Sequence, residues 1–397
     1  MASVERQFRL HENNPYNIIF INWSKVQLYD TLTGKTKRFV TKDNHVRMLL
    51  CGPTVYDYAH IGHARMLLFY DLMARYLRSK KMVVSVVLNI TDIDQKIFSK
   101  AKSVGADPSE LAGRFVDALI HDLSALGIEG FALARVRGQV STARQLIAEL
   151  LQAGKAYSAG GNVYLLTATV RSFGKMARMT RKDLDDCRLD ISPAKKSPSD
   201  ILLWNSSENF DISFQDRVLG TGIPWWHVQD SAVAVANFDG SYDIHGGANE
   251  LVYPHHESHL AQLVSWSSND KPVSFWTHVG LVRVENKKIS NSLGNTIAIH
   301  DLLRTHSPNA LRLYFYSRYY RDDFEFAQNT LCKFQLIDDM ISAAMNDNPR
   351  PVKMAARFFD CLEHDFDTPG ALKVLVESAK SRSADLKAMV SIFGLHY

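Results

Sequence analysis

The chain has 397 residues, 46% of them hydrophobic and 22% charged, which is ample for two or three cores at roughly 150 residues per domain. A net charge of +4 with scattered basic residues permits a polyanionic partner without arguing for one. Cys51, Cys187, Cys332 and Cys361 lie far apart and indicate neither a disulfide framework nor a zinc ribbon. No apolar run reaches the length of a membrane span, so a cytoplasmic protein with no membrane partner is expected.

Residues 1–26 read as an N-terminal extension with a short strand at Ile18–Ile21. Val26–Asp30 and Lys37–Val40, split by Thr33-Gly34, predict a hairpin. Val46–Leu50 predicts a strand, Cys51-Gly52-Pro53 a turn, and Ala64–Arg78 a helix. His60 and His63 flank Gly62 where that helix begins, a place where the helix end favours anions. Val83–Leu88 is a β-branched run suited to a buried parallel strand, and it ends at the polar stretch Asn89–Asp94. Ligands of open α/β sheets bind beyond such strand ends.

Asp107–Gly154 shows helical spacing and predicts two or three helices inserted between the halves of a sheet. Val163–Leu166 is strand-like, and Ser172–Asp200 reads as a charged, mobile surface segment. Ile201–Trp204 is expected to resume the sheet, followed by Trp225–His227, Tyr242–Gly247 and a strand within Phe275–Val284. From Leu302 the pattern is helical.

Three constellations carry chemistry. Imidazoles at His60 and His63 suit hydrogen bonds to a phosphate chain, although a His-x-x-His pair also occurs as ordinary surface or core histidine. Lys287, Lys288, Ser290, Ser292 and Gly294 form a flexible cationic loop that suits a triphosphate, a composition shared with solvated surface turns. His255 and His259 lie four apart on one helical face, as two ligands of one metal would, with Cys51 as a further donor.

These stretches resemble a known family. Cys51–Asp57 with His60-Ile61-Gly62-His63 is similar to the first signature of class I aminoacyl-tRNA synthetases in its cysteinyl form. Lys288–Asn295 resembles the second signature of that family. Asn89–Asp94, Trp226-His227, Asp243–Gly247, Pro254–Glu257 and Asp365–Pro369 match in order. The resemblance covers about residues 27–395. It implies an α/β fold, with a doubly wound, Rossmann-like parallel-sheet catalytic domain over 27–301. A connective segment is inserted at about 107–200, and a C-terminal α-helical domain spans 302–397. It also implies activation of an amino acid by ATP, accompanied by Mg2+, to an aminoacyl-adenylate. By resemblance His60, His63 and Lys288 are catalytic. ATP contacts fall on His60, His63, Gly246, Gly247, Glu250, His278, Gly280, Lys287, Lys288, Ser290 and Ser292. The amino acid meets Gly52, Thr54, Thr91 and Trp226.

The family's zinc ligands fall here on Cys51, Asp230, His255 and His259. Aspartate replaces a second cysteine, and histidine the usual glutamate. Zinc accepts all four ligand types. One thiolate fewer hardens the metal, so the amino acid need not be cysteine. Asn291 replaces the second lysine of the phosphate loop, and Glu250 stands where the family usually has aspartate. By resemblance the anticodon-binding domain is expected to be missing, as in the shorter cysteine ligase branch that joins cysteine to a glucosaminyl-inositol amine. An amide-forming ligase with a small-molecule amine acceptor is therefore expected first. A specialised synthetase charging tRNA is the alternative, and a non-catalytic paralogue the second. Either a monomer or a homodimer is compatible.

Overall fold

The computed structural model describes residues 25–41, 43–187, 189–289 and 294–397. The expected strand at Ile18–Ile21 lies outside them, as do Ser290, Asn291 and Ser292 of the lysine loop. The hairpin forms as β1 (Gln27–Asp30) and β2 (Lys35–Arg38), turned at Gly34 with φ +66°. Next come β3 (His45–Thr54), α1 (Ile61–Ser79) and β4 (Val83–Thr91). Aspartate caps open both following helices: Asp94 accepts from Lys96 N at α2 (Gln95–Val104), and Asp107 from Ser109 N and Glu110 N at α3 (Pro108–Ala125).

Then follow β5 (Phe131–Arg135), α4 (Val140–Gln152), β6 (Ala156–Ala159), β7 (Asn162–Leu165), α5 (Arg181–Asp186), β8 (Ile201–Asn205) and β9 (Ile223–Pro224). The second half contains α6 (Trp226–Phe238), β10 (Tyr242–Ala248), α7 (Glu257–Ser267), β11 (Val273–Val279), β12 (Val282–Val284) and β13 (Lys287–Lys288). The chain ends in α8 (Ile299–Leu303), α9 (Pro308–Tyr316), β14 (Phe324–Glu325), α10 (Gln328–Asn346), α11 (Ala355–Glu363), α12 (Thr368–Ser381) and α13 (Leu386–Phe393).

Among the described residues, β11-β10-β3-β4-β5 form a parallel five-stranded sheet. The first half of the chain builds outward from β3 on one side and the second half from β10 on the other. Strand order therefore reverses between β3 and β10, and a crevice opens beyond their carboxyl ends. The α/β fold with a parallel sheet and a helical C-terminal region is as expected from sequence.

Four details differ from the sequence expectation. Cys51-Gly52-Pro53, expected as a turn, is the irregular end of β3, which stays paired with β4 to Thr54. Phe131–Arg135 is an edge strand paired with β4, not part of the inserted helices. Its Ala-rich composition favours helix, and only the neighbouring strand overrides that preference. Ile201–Asn205 pairs with β7 and β9 in a separate antiparallel sheet, β6-β7-β8-β9, so this sheet runs on to Pro224 rather than closing at about 200. Finally, much of Ser172–Asp200 is tied down. Buried Asp200 accepts from Thr167 N (3.0 Å), Tyr157 Oη (2.8 Å) and Ser197 N (3.1 Å). Glu257 of α7 accepts from Gly174 N (2.7 Å) and Ala177 N (2.9 Å). The polar composition there serves internal hydrogen bonds as well as solvent.

The helical region docks on α1 through a fully buried ion pair, Arg312 Nη2 to Asp71 Oδ2 at 2.7 Å. Arg312 also donates to the carbonyls of Leu126 and Phe393. Removing either partner would strand a buried charge.

Candidate active site

A cavity of about 500 Å³ lies beyond the carboxyl ends of β3, β4 and β10. Gly52, Thr54, Thr91, Trp226 and His255 line one end, and His60, His63, Glu250, Gly280 and Lys288 the other. Gly52 sits hard against β4: a Cβ there would come within 2.0 Å of the Asn89 carbonyl oxygen. The close approach holds Cys51 beside Asn89 in the strand register.

The phosphate end is set by the start of α1. His60 is the N-cap, and its Nδ1 accepts from Gly62 N at 3.2 Å. Its own N–H donates to Nδ1 of His63 at 3.2 Å. The two rings stack at 3.9 Å between centroids. Burial pushes His60 down to about 4, and burial with the neighbouring His60 holds His63 well below the usual histidine range. Both imidazoles are therefore neutral near pH 7. Because each Nδ1 accepts, each ring carries its proton on Nε2, which leaves two N–H donors free of the capping bonds. Across the cavity, Lys288 of β13 forms an ion pair with Glu250, just beyond β10, while Lys287 is exposed. The same loop thus faces both the end of β10 and the histidine pair.

At the other end, Cys51, Asp230, His255 and His256 each bring one donor atom within 4.8 Å of the others, and all four are buried. Asp230 is reached from three sides: by Asn89 Nδ2, by His255 Nε2 (3.0 Å) and by Cys51. Burial raises the Cys51 thiol well above its ordinary range, and Asp230 adds to that. Burial opposes ionisation of Asp230, but His255, His259 and the Cys51 hydrogen bond outweigh it and hold the carboxyl below its ordinary value. His256 Nε2 is buried without a hydrogen-bond partner, while its Nδ1 pairs with His278 Nε2 at 2.8 Å. The thiol, carboxylate and two imidazoles are ligand types that zinc accepts, and His256 keeps one buried ring nitrogen without a hydrogen-bond partner, so the residues fit such an ion.

The predicted ligand His259 is not in that cluster. Its Nδ1 pairs with Ser231 Oγ (2.8 Å) and its Nε2 with Tyr242 Oη (2.7 Å). The segment Val252–His256 before α7 is not a regular helical turn: Tyr253 is extended at φ −131° and ψ 134°, and the chain kinks there. The adjacent His255 and His256 both bring a ring nitrogen to the cluster. Ordinary helical spacing selects His255 and His259 instead.

Three predicted nucleotide residues also serve the protein interior. Gly246 packs beneath Tyr70, whose ring lies 2.4 Å from where a Cβ would stand, and Gly247 faces His256. His278 uses Nδ1 on Thr31 Oγ1 (2.8 Å) and Nε2 on His256. The cavity wall at β10 and β11 consists instead of Ala248, Glu250, Leu251 and Val279–Val282. Trp226 stacks on His255 with 4.6 Å between ring centroids. Tyr58 and Trp225 also line the cavity, and neither carried a sequence signal of its own.

A parallel sheet with its site at the strand reversal, and two neutral imidazoles on a helix start facing a lysine loop, define a nucleotide-binding catalytic domain of the class I synthetase type. The family described as tRNA synthetases class I (C) catalytic domain matches residues 38–336. A protein of Anaeromyxobacter dehalogenans (strain 2CP-C) named Cysteine--tRNA ligase is 33% identical over 380 residues, covering 90% of this chain and 78% of its own length. One of the same name from Legionella pneumophila is 35% identical over 366 residues, covering 89% and 80%. Among solved structures, Mycobacterium tuberculosis methionyl-tRNA synthetase with methionyl-adenylate shares the fold. Its TM-score is 0.66 at 14% identity, over 88% of this chain and 87% of that one. The LeuRS–tRNA–LeuAMS complex of Agrobacterium radiobacter K84 gives 0.64 at 9% identity, over 89% and 83%. The chain belongs to the class I tRNA synthetase family and is an ATP-dependent ligase of that type. No helix among the described residues is long and apolar enough to cross a membrane.

Proposed function

We propose that the chain activates cysteine with ATP and Mg2+ as the aminoacyl-adenylate and transfers it to tRNA. The observation that carries this reading is one cavity lined by His60, His63 and Lys288 that also reaches Cys51 and His255 of the buried Cys51–Asp230–His255–His256 cluster. Relatives named Cysteine--tRNA ligase, matched over nine-tenths of the chain, support tRNA as the acceptor over the small amine expected first from sequence. They equally support cysteine as the amino acid, despite Asp230.

In activation, a carboxylate oxygen of the amino acid bonds to the α-phosphorus while the bond to pyrophosphate breaks. The Nε2–H groups of His60 and His63 donate to the phosphate oxygens as charge shifts toward the leaving group. Lys288, drawn from Glu250 to the triphosphate, neutralises that charge, with Lys287, Ser290 and Ser292 on the same loop. Glu250, Gly280 and the ends of β10 and β11 face the adenosine. In transfer, a terminal ribose hydroxyl of tRNA attacks the carbonyl carbon, and AMP leaves. Gly52, Thr54, Thr91 and Trp226 shape the amino-acid end. Zinc held by Cys51, Asp230, His255 and His256 would supply a Lewis-acid contact to the substrate side chain. Residues 27–301 would form the catalytic unit and 302–397 the helical one.

The test is amino-acid-dependent exchange of pyrophosphate into ATP across all amino acids, followed by charging of total tRNA with the one that responds. Exchange with cysteine and charging of tRNA are expected. Exchange without charging would point to a small-amine acceptor, and no exchange to a non-catalytic paralogue. Asp230→Cys should sharpen preference for cysteine, and unchanged selectivity would count against a metal that reads the side chain.

A further inference from the structure

Tyr58 sits two residues before His60, within about 7 Å of extended chain. It lines the mouth of the cavity, yet 48% of it remains exposed. Its ring is not loose. It meets Phe115 of α3 at 5.2 Å and 89° and His300 of α8 at 4.6 Å and 66°, both in edge-to-face geometry. Two aromatic neighbours thus fix the ring while leaving much of it open beside the reacting groups. Large aromatic side chains normally bury their area, so a held but open ring at a site mouth is suited to stacking on a planar ligand.

The ligand is identified by position. The wall assigned to adenosine comes from β10 and β11, on one flank of β3. Phe115 belongs to α3, which leads from β4 to β5 on the opposite flank. The ring therefore stands across the cavity from the adenosine wall. A ribose whose hydroxyl approached the adenylate from this side of the cavity would bring its attached base to this ring. Lys96, also at the mouth, offers a cation for the incoming phosphate backbone. Resting on the tRNA reading above, the geometry points to Tyr58, held by Phe115 and His300, as the stacking platform that positions the terminal base of the tRNA acceptor end.

The experiment compares wild type, Tyr58→Ala and Tyr58→Phe in pyrophosphate exchange and in charging of total tRNA. It adds a tRNA whose 3′-terminal nucleotide lacks its base. Tyr58→Ala should lower charging about 5- to 150-fold more than it lowers exchange, and Tyr58→Phe should restore it. The abasic tRNA should lose the same factor on wild type and nothing further on Tyr58→Ala. Two outcomes overturn the platform: a Tyr58→Ala enzyme that charges as wild type does, or one whose loss lies in exchange with a raised KM for ATP. Wild type that activates cysteine but charges no tRNA would instead refute the acceptor reading itself.

Discussion

His60 carries two separable tasks, and substitution can divide them. Its Nδ1 caps α1 by accepting from Gly62 N at 3.2 Å, and its Nε2–H is the donor proposed for the phosphates. Asparagine is among the best N-caps but cannot extend a donor as far as Nε2, whereas alanine does neither. Losing the cap costs ~1 kcal/mol of stability. Losing one donor aimed at transition-state charge costs ~3 kcal/mol, or about 100-fold in rate. His60→Asn should therefore unfold in urea within ~0.5 kcal/mol of wild type, with pyrophosphate exchange slowed about 100-fold. His60→Ala should show the same kinetic loss and a further ~1 kcal/mol of destabilisation. Because charge develops mainly on the departing phosphates, the loss should fall on kcat more than on KM. Exchange by His60→Asn within tenfold of wild type would refute the donor role. Equal stability of the two variants would refute the capping role.

Acid should act on the same residue. Burial holds folded His60 at about 4, below the ordinary 6.5, so the unfolded chain binds more protons between those values. Its contribution is present in full above pH 6.5 and declines as pH falls toward 4. Wild type should therefore lose ~2 kcal/mol more than His60→Asn between pH 7 and pH 5 in urea titrations, and equal losses would contradict the neutral, part-buried imidazole. Gly52→Ala should cost about 3 kcal/mol, because a methyl 2.0 Å from the Asn89 carbonyl forces β3 from β4, and an unchanged denaturation midpoint would refute this. Zinc quantified on purified protein should be stoichiometric, abolished in His256→Ala and kept in His259→Ala; the reverse pattern would restore the ligand pair chosen by helical spacing.

The sequence by itself determined the elements whose signal is local. Val46–Leu50 reads as a strand, and the His-Ile-Gly-His start of a long apolar helix is equally local, whereas the expected Cys-Gly-Pro turn is the irregular end of β3. β3, α1, β4 and the hairpin stand where periodicity and turn chemistry put them. Cys51, Asp230 and His255 were legible together only by resemblance, since nothing local links residues on β3, α6 and the turn before α7. What tertiary structure decided were matters of pairing and rotation. β5 exists because β4 offers it a ladder, against an Ala-rich composition. β8 looks like a core strand of the main sheet, yet finds its partners in β7 and β9. His256, not His259, lies with Cys51, Asp230 and His255, in a segment kinked at the extended Tyr253, a local departure that no spacing rule encodes. Tyr58 carries no mark in the sequence, and only the packing of Phe115 and His300 leaves its ring held and open. Local preferences fix which segments are helix or strand, whereas the depth, register and direction of a side chain are set by whatever the rest of the chain packs against it.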